Sequence, residues 1–474
     1  MLNRDLETLI RENFSHTPTQ EQAQALALFA DFLLSENLSS AFVLKGYAGT
    51  GKTSLMAALV KSLKLLKRRC ILLAPTGRAA KVLSHYTHRP AYTIHKRIYR
   101  QKAFSEDMGE FSLNKNLLKN ALFIVDEASM IANDGFSQSP FGTGRLLDDL
   151  ITYVYGEESG CRILFLGDTA QLPPVGEEQS PALEAEYLRG YGLDVLEFTL
   201  KEVVRQEQDS GILHNATLLR KQMQEEEFLL DLPKVNVDFP DVSVVTGAEL
   251  IEEIENSYRE VGMEDAIVIC RSNKRAGIFN NGIRNTILYR EDELNSGDML
   301  MIAKNNYFWS EDIEGMDFIA NGDIAIVERV YAYQELFGFK FADVLLSFPD
   351  YDDAEVEVKI LLDTLSSDSP SLSAEQSKLL FYEVQKDYAD IANKKERYKK
   401  IKEDPYFNAL QVKYAYAVTC HKAQGGQWAH VYVDQGYIAE DMVNADYYRW
   451  LYTAFTRATE HLYLINWSEN QIEE

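Results

Sequence analysis

Apolar runs of Val, Ile, Leu and Phe recur at residues 41–44, 70–73, 122–125 and 162–166, alternating with helical periodicity such as that over 54–66. Runs that stay apolar at successive positions belong to strands buried on both faces, so the first part of the chain reads as a parallel sheet covered by helices. The fold class is therefore α/β, with ligands expected at the carboxyl ends of the strands. The pattern returns at 266–270 and breaks over 295–363, where the alternating runs 339–348 and 355–362 predict antiparallel strands of a small inserted β domain. Ser373 and Gln376 form a capping-box signature, and Phe381, Val384, Tyr388 and Ile391 predict one long helix ending near Pro405. Strand-like runs at 414–418 and 431–433, a helical 447–457 and a strand-like 462–465 close the chain. The expected domains are 1–205, a second α/β domain split into 206–294 and 411–474, and the insertion 295–410.

A length of 474 residues also favours several cores over one, and 46% hydrophobic with 26% charged residues excludes fibrous and disordered classes. The net charge of −25, taken alone, argues against a partner rich in phosphates. The distribution reverses that inference. Between Asn37 and Ser105 there is no Asp or Glu but fourteen Lys and Arg, leaving −39 on the remainder. An acidic exterior disfavours indiscriminate adsorption and confines anion binding to one basic tract. Cys70, Cys161, Cys270 and Cys420 have no metal or redox spacing, and no targeting or membrane-length apolar run occurs, so a reducing cytoplasmic setting without a membrane partner is expected.

The chemistry begins after the first strand. Gly46, Tyr47, Ala48, Gly49, Thr50, Gly51, Lys52 and Thr53 join a strand to a helix, the context of a phosphate loop rather than of a plain glycine turn. Backbone N–H groups converge on the phosphates, Lys52 bridges the β- and γ-phosphates, and the Thr53 hydroxyl serves Mg²⁺. Asp126 and Glu127 end another buried strand: Asp126 suits the metal shell and Glu127 the attacking water, so ATP hydrolysis is expected. Gln171, in the turn Gly167 to Pro174, is placed either to sense the γ-phosphate or merely as part of a stiff structural turn.

These strings, with Thr19-Gln20, the run Ala74 to Ala80, Thr93-Ile94-His95, Asp126 to Met130, Val204-Arg205-Gln206, Asn321-Gly322-Asp323, Thr419 to Gly425 and Tyr452 to Ala458, resemble the superfamily 1 subclass B helicases, the RecD-like and phage Dda-like enzymes. The resemblance runs from about Thr19 to His461. It implies two RecA-like domains with ATP between them, and Arg205 and Arg457 as arginine fingers, although either alone reads as an ordinary surface arginine. It further implies Gln20 on the adenine edge and 5′-to-3′ travel on a single strand. Thr76, Arg78, His95, Lys96, Thr419, His421, Lys422 and Gln424 match DNA-facing positions, with interdomain coupling an alternative for His421. The stretch 97–119 resembles the β-hairpin pin that splits duplexes; Phe104 and Phe111 either stack on the junction or simply cover the domain. The insertion resembles an SH3-like barrel followed by a helical tower bracing the pin. Gln427 departs from the family, which commonly has an acidic residue there.

The implied activity is an ATP-dependent DNA helicase of repair, recombination or replication, acting on single-stranded DNA and duplex junctions, expected as a monomer that meets repair or replication proteins. A motor subunit of a helicase–nuclease complex and a non-unwinding nucleic-acid-stimulated NTPase are the alternatives. DNA against RNA is not readable from residue types.

Overall fold

The computed structural model describes residues 2–14, 16–101, 111–133, 135, 141–156, 159–204, 210–224, 232–310, 318–439 and 442–473. The first domain is built on β1 (Ser40–Gly46), β2 (Cys70–Ala74) and β3 (Ala91–Thr93), then a short antiparallel hairpin of β4 (Tyr99–Gln101) and β5 (Phe111–Leu113), then β6 (Leu122–Val125), β7 (Arg162–Gly167) and β8 (Asp194–Leu200). Six strands form one parallel sheet in the order β3-β2-β6-β7-β1-β8. Phe42, Phe123 and Phe165 are fully buried, as expected of strands that have helices on both faces.

Two strands of the second domain, β9 (Val242–Val245) and β10 (Ala266–Cys270), precede the insertion. The chain then forms β11 (Met299–Ile302), β12 (Ile324–Leu336), β13 (Phe339–Phe348), β14 (Ala354–Leu361) and β15 (Leu410–Tyr414), which close into a barrel. It re-enters the second sheet with β16 (Ala417–Thr419), β17 (Trp428–Asp434) and β18 (Ala458–Ile465), in the order β16-β10-β17-β18-β9. All pairings in that sheet are parallel, so both sheets have RecA-like character.

Two expectations are corrected. The apolar run 414–418 is not one strand: Tyr414 ends the barrel and Ala417 starts the second sheet, so the inserted unit extends beyond 410. The expected long helix is two helices, Ala374–Asp387 and Lys394–Lys402. The Ser373 capping box forms, but Asn393 caps a second start by accepting the N–H groups of Lys395 and Glu396. Leu380, Val384 and Ile401 then fold onto Phe339, Phe341 and Leu361 of the barrel.

The barrel is fixed to the second domain where the chain leaves and returns. Asp298 is fully buried and accepts from Arg284 Nη2 at 2.9 Å, Arg290 Nη1 at 2.7 Å, the Tyr416 hydroxyl at 2.9 Å and Asn295 N–H at 2.8 Å. Removing one partner from such a network strands the others without water. Asp298→Ala is expected to lower the unfolding free energy of this unit by about 3 kcal/mol, measured by urea denaturation; a change below about 1 kcal/mol, the scale of a surface pair, would contradict the assignment.

Candidate ATP site and nucleic-acid interface

The loop after β1 turns through Gly49 and Gly51, whose φ values of +70° and +81° lie in the left-handed region that glycine adopts without strain. Gly51 also has no room for a side chain, because a Cβ would lie 2.4 Å from Gln22 Nε2. The helix Lys52–Leu65 starts directly behind, so its free N–H groups and dipole face the loop. Lys52 Nζ donates to the carbonyls of Gly46 at 2.6 Å and Tyr47 at 2.9 Å and lies 4.0 Å from Asp168. Thr53 is half-buried in the first turn.

Asp126 and Glu127 follow β6 next to this loop. Burial, then the neighbouring Glu127 charge, pushes the Asp126 carboxyl up to about 6, against the opposing effect of Lys52. Glu127 sits at φ +51°, a left-handed conformation that costs a non-glycine residue about 1 kcal/mol. Such strain concentrates where a side chain must be aimed. The second domain faces it: Arg457, buried after the helix Ala445–Phe455, places Nη1 3.9 Å from Glu127 Oε1. The guanidinium is held by the carbonyls of Thr453 at 3.1 Å and Gly426 at 3.1 Å.

Arg205 lies outside the described residues, but its neighbour Val204 donates its N–H to the Gly49 carbonyl at 2.9 Å. Glu21 accepts the N–H groups of Lys201 and Glu202, which brings that segment to the loop. Gln171 is buried, with Oε1 lacking a hydrogen-bond partner, in the turn that follows β7.

Gln20 is exposed at the start of the helix Gln20–Leu34, with its side chain open to solvent. Gln22 is the residue that meets the phosphate loop, donating from Nε2 to the Thr50 carbonyl at 2.9 Å while its Oε1 accepts the Thr19 N–H. The missed signal was helical phase: Gln22, Ala25, Leu26 and Phe29 fall at i, i+3, i+4 and i+7, and all four are buried.

On the opposite side, three distant segments converge. A Cβ on Gly77 would lie 2.8 Å from Asp323 Oδ1, so the start of the helix Gly77–Thr87 abuts the barrel turn 321–323. Lys422 donates to Asn321 of the same turn, and burial pushes its ammonium down to about 8. Arg78 stacks over Trp428 at 4.0 Å and donates to the Gln427 carbonyl, so Gln427, the departure from the family, sits at the domain junction beside Arg78 and Tyr86. Here opens a cleft of about 1100 Å³ whose lining includes Arg78, Lys81, Arg89, Lys96, Tyr86 and Tyr92, together with the carboxylates of Glu264, Asp265, Asp350 and Asp352.

Thr76 caps the helix Gly77–Thr87 by accepting the Ala79 N–H at 3.2 Å, and Thr419 stands at the start of Cys420–Ala423. His421 is exposed there, its imidazole pushed down by partial desolvation. His95 stands against the rings of Phe141 and Tyr99, where burial lowers its pKa to about 4 and keeps it neutral. It is therefore no cation for phosphate at neutral pH. Gln424 is turned inward, donating to the Leu172 carbonyl at 2.7 Å, so a strand contact for its amide is corrected to an interdomain bond. Phe111 is corrected too: it is buried against Phe141, Tyr307 and Phe318, tying the hairpin base to the barrel, and is not free to stack on a base pair. Phe104 lies outside the described residues.

Against known families, residues 18–232 match the AAA domain and residues 414–465 match the UvrD-like helicase C-terminal domain. The two matched segments fall on the two parallel sheets, the first carrying the phosphate loop and the second carrying Arg457. An uncharacterized protein of Acanthamoeba polyphaga mimivirus is 24% identical over 94% of this chain and 98% of its own length. The ATP-dependent RecD2 DNA helicase of Deinococcus radiodurans is 33% identical over 33% of this chain, a match spanning 18% of that larger protein. The solved Pif1 helicase from Bacteroides, in complex with ADP-AlF3 and ssDNA, aligns over 97% of this chain and 95% of its own at 14% identity and TM-score 0.46.

Gln22 and Gln20 are separable in solution. Gln22→Ala is expected to weaken binding of a fluorescent ATP analogue about tenfold, the value of one lost hydrogen bond, while Gln20→Ala stays within twofold. The reverse order would assign the nucleotide contact to Gln20.

Proposed function

We propose that this chain is an ATP-dependent DNA helicase that couples ATP hydrolysis to 5′-to-3′ movement along single-stranded DNA and to duplex separation, in repair, recombination or replication. The observation that carries this reading is the construction of the ATP site from both domains: Arg457 of the second reaches within 3.9 Å of Glu127 of the first. Binding energy gained by the fingers only when the domains are closed is lost on hydrolysis, which is the requirement for converting a chemical cycle into domain motion.

The donor set suits Mg²⁺. Asp126 is a half-buried carboxyl whose desolvation a cation would offset, and Thr53 offers a hydroxyl at the helix start, a one-carboxylate, one-hydroxyl donor set of the kind Mg²⁺ accepts alongside phosphates. An ion held by Asp126 and Thr53 would supply neutralisation of phosphate charge. Within the chain, Glu127 orients and deprotonates the attacking water, Lys52 leaves the loop carbonyls for the phosphates, and Gln171, with its free Oε1, turns to the water or γ-phosphate. Arg457 and, by resemblance, Arg205 neutralise the equatorial oxygens.

The strand is assigned to the cleft between the helix Gly77–Thr87 and the barrel segment 349–352, where cations accompany flat rings. Phe104 is the remaining candidate for the junction-splitting aromatic, and the barrel, through Tyr307 and Phe318, braces the base of its hairpin. The proposed setting is cytoplasmic and the proposed unit a monomer working with repair or replication proteins. Among the described residues no helix is long and apolar enough to cross a membrane.

Two experiments test the reading. A forked duplex with a 5′ single-stranded tail should be separated in the presence of ATP and Mg²⁺, whereas Glu127→Gln should lower kcat by about 10²–10⁴-fold and abolish separation while retaining nucleotide binding. Hydrolysis without any separation would instead favour the non-unwinding NTPase. Lys422 sets a pH dependence: it carries charge below about 8 and loses it above, so oligonucleotide affinity should fall between pH 7 and 9. Lys422→Arg should flatten that profile, and an unchanged profile would remove Lys422 from the interface.

A further inference from the structure

The helix Ala445–Phe455 brings more to the first domain than Arg457 at its end. Tyr452, 1% exposed, extends its hydroxyl across the cleft, where it accepts the Ala48 N–H of the phosphate loop at 2.8 Å and donates to Asp168 Oδ2 at 2.6 Å. Burial raises the phenol well above its ordinary value, which keeps the proton available for that donation. The other carboxylate oxygen of Asp168 accepts the Ala170 N–H at 2.9 Å, and the same carboxylate is the nearest anion to Lys52.

Four residues on, the same turn is gripped again. Thr453, the next residue of the helix, accepts the Leu172 N–H at 2.8 Å, and Gln424 donates to the Leu172 carbonyl at 2.7 Å. Both polar groups of the Leu172 backbone are thus committed to the second domain. Gln424 in turn lies two residues from Lys422, which donates to Asn321 of the barrel turn. The turn 168–172 also carries Gln171.

We infer that Tyr452 is a positioning residue: its hydroxyl, acting with Thr453 and Gln424, sets the turn 168–172 against the phosphate loop, so that Gln171, Lys52 and Arg457 reach their working arrangement together. The inference rests on the helicase reading and names the contact by which the second domain addresses the ATP site. The aromatic ring is packing; the hydroxyl is the coupling element. Without it, Ala48 N–H and one Asp168 oxygen lose their partner in a buried setting, and the turn is tethered only at Leu172. The backbone donors from Gly49 to Thr53 are untouched, so nucleotide binding is conserved while turnover is not.

Tyr452→Phe keeps the ring and removes the hydroxyl. Steady-state ATP hydrolysis with saturating single-stranded oligonucleotide should show kcat reduced about tenfold or more, the equivalent of one hydrogen bond to a charged group, with KM for ATP within threefold of the parent. A double-mutant cycle with Gln424→Ala should be non-additive, because both changes release the same turn. A merely structural tyrosine would lower the melting temperature without lowering turnover per folded molecule. Tyr452→Phe turnover within twofold of the parent, a change in KM alone, or a fully multiplicative cycle would each overturn the inference. Should Tyr452→Phe fail to fold, Gln424→Ala and Thr453→Val free Leu172 without touching the ring and must give the same split. A parent enzyme that no oligonucleotide stimulates would contradict the helicase reading instead, and the kcat and KM comparison would still decide the role of Tyr452 on unstimulated turnover.

Discussion

The structure depends on one constraint: the phosphate loop belongs to one α/β domain, but Tyr452 and Arg457, the side chains that reach that loop and Glu127, belong to another. The second domain is anchored at its own insertion through Asp298 and at the first domain through the turn after β7, where Asp168 and Leu172 are bonded to Tyr452, Thr453 and Gln424. Hydrogen bonds buried between domains are short-ranged and directional, so a small rotation breaks several at once. A switch between two arrangements follows more readily from such contacts than from an apolar interface, which tolerates sliding.

Charge organises the outer surface to the same end. The chain is strongly acidic, yet Arg78, Lys81, Arg89 and Lys96, which line the cleft, all come from the one stretch that contains no Asp or Glu. Attraction for a polyanion is set by the local field within a screening length of about 8–10 Å, not by the molecular net charge. The acidic remainder therefore acts as a filter. Its acidic groups reach the cleft as well: Glu264, Asp265, Asp350 and Asp352 line it beside these cations, and Lys81 lies 3.3 Å from Asp350.

Much of this was legible in the residues. Strands buried on both faces announce themselves as unbroken apolar runs, and a Gly-rich loop between such a strand and a helix admits few other readings, so the first sheet and the phosphate loop were found together. Side-chain direction was the harder quantity. Gln20 and Gln22 are two residues apart, and only the phase of the buried stripe tells which one faces the loop. Phe111 reads as an exposed hairpin aromatic until Tyr307 and Phe318 arrive from a domain two hundred residues later in the chain. Gln424 was placed on the correct loop, but its partner, Leu172, lies in the other domain. The break at Asn393 was hidden by the helical spacing that continues up to Ile391 on its N-terminal side. The Phe111 and Gln424 contacts are non-local, which composition and periodicity do not encode, whereas the Gln22 stripe and the Asn393 cap are local signals masked by their neighbours.

The central claim is that nucleotide holds the two α/β domains in a closed arrangement through contacts each domain supplies. All four native cysteines are buried, so spin labels can be placed selectively at Leu65→Cys in the first domain and Ile278→Cys in the second, both exposed positions. Pulsed dipolar spectroscopy should then show the interlabel distance distribution narrow and shift when a non-hydrolysable ATP analogue, Mg²⁺ and a single-stranded oligonucleotide are added, and relax when ADP replaces the analogue. Superimposable distributions in all three states would contradict the account.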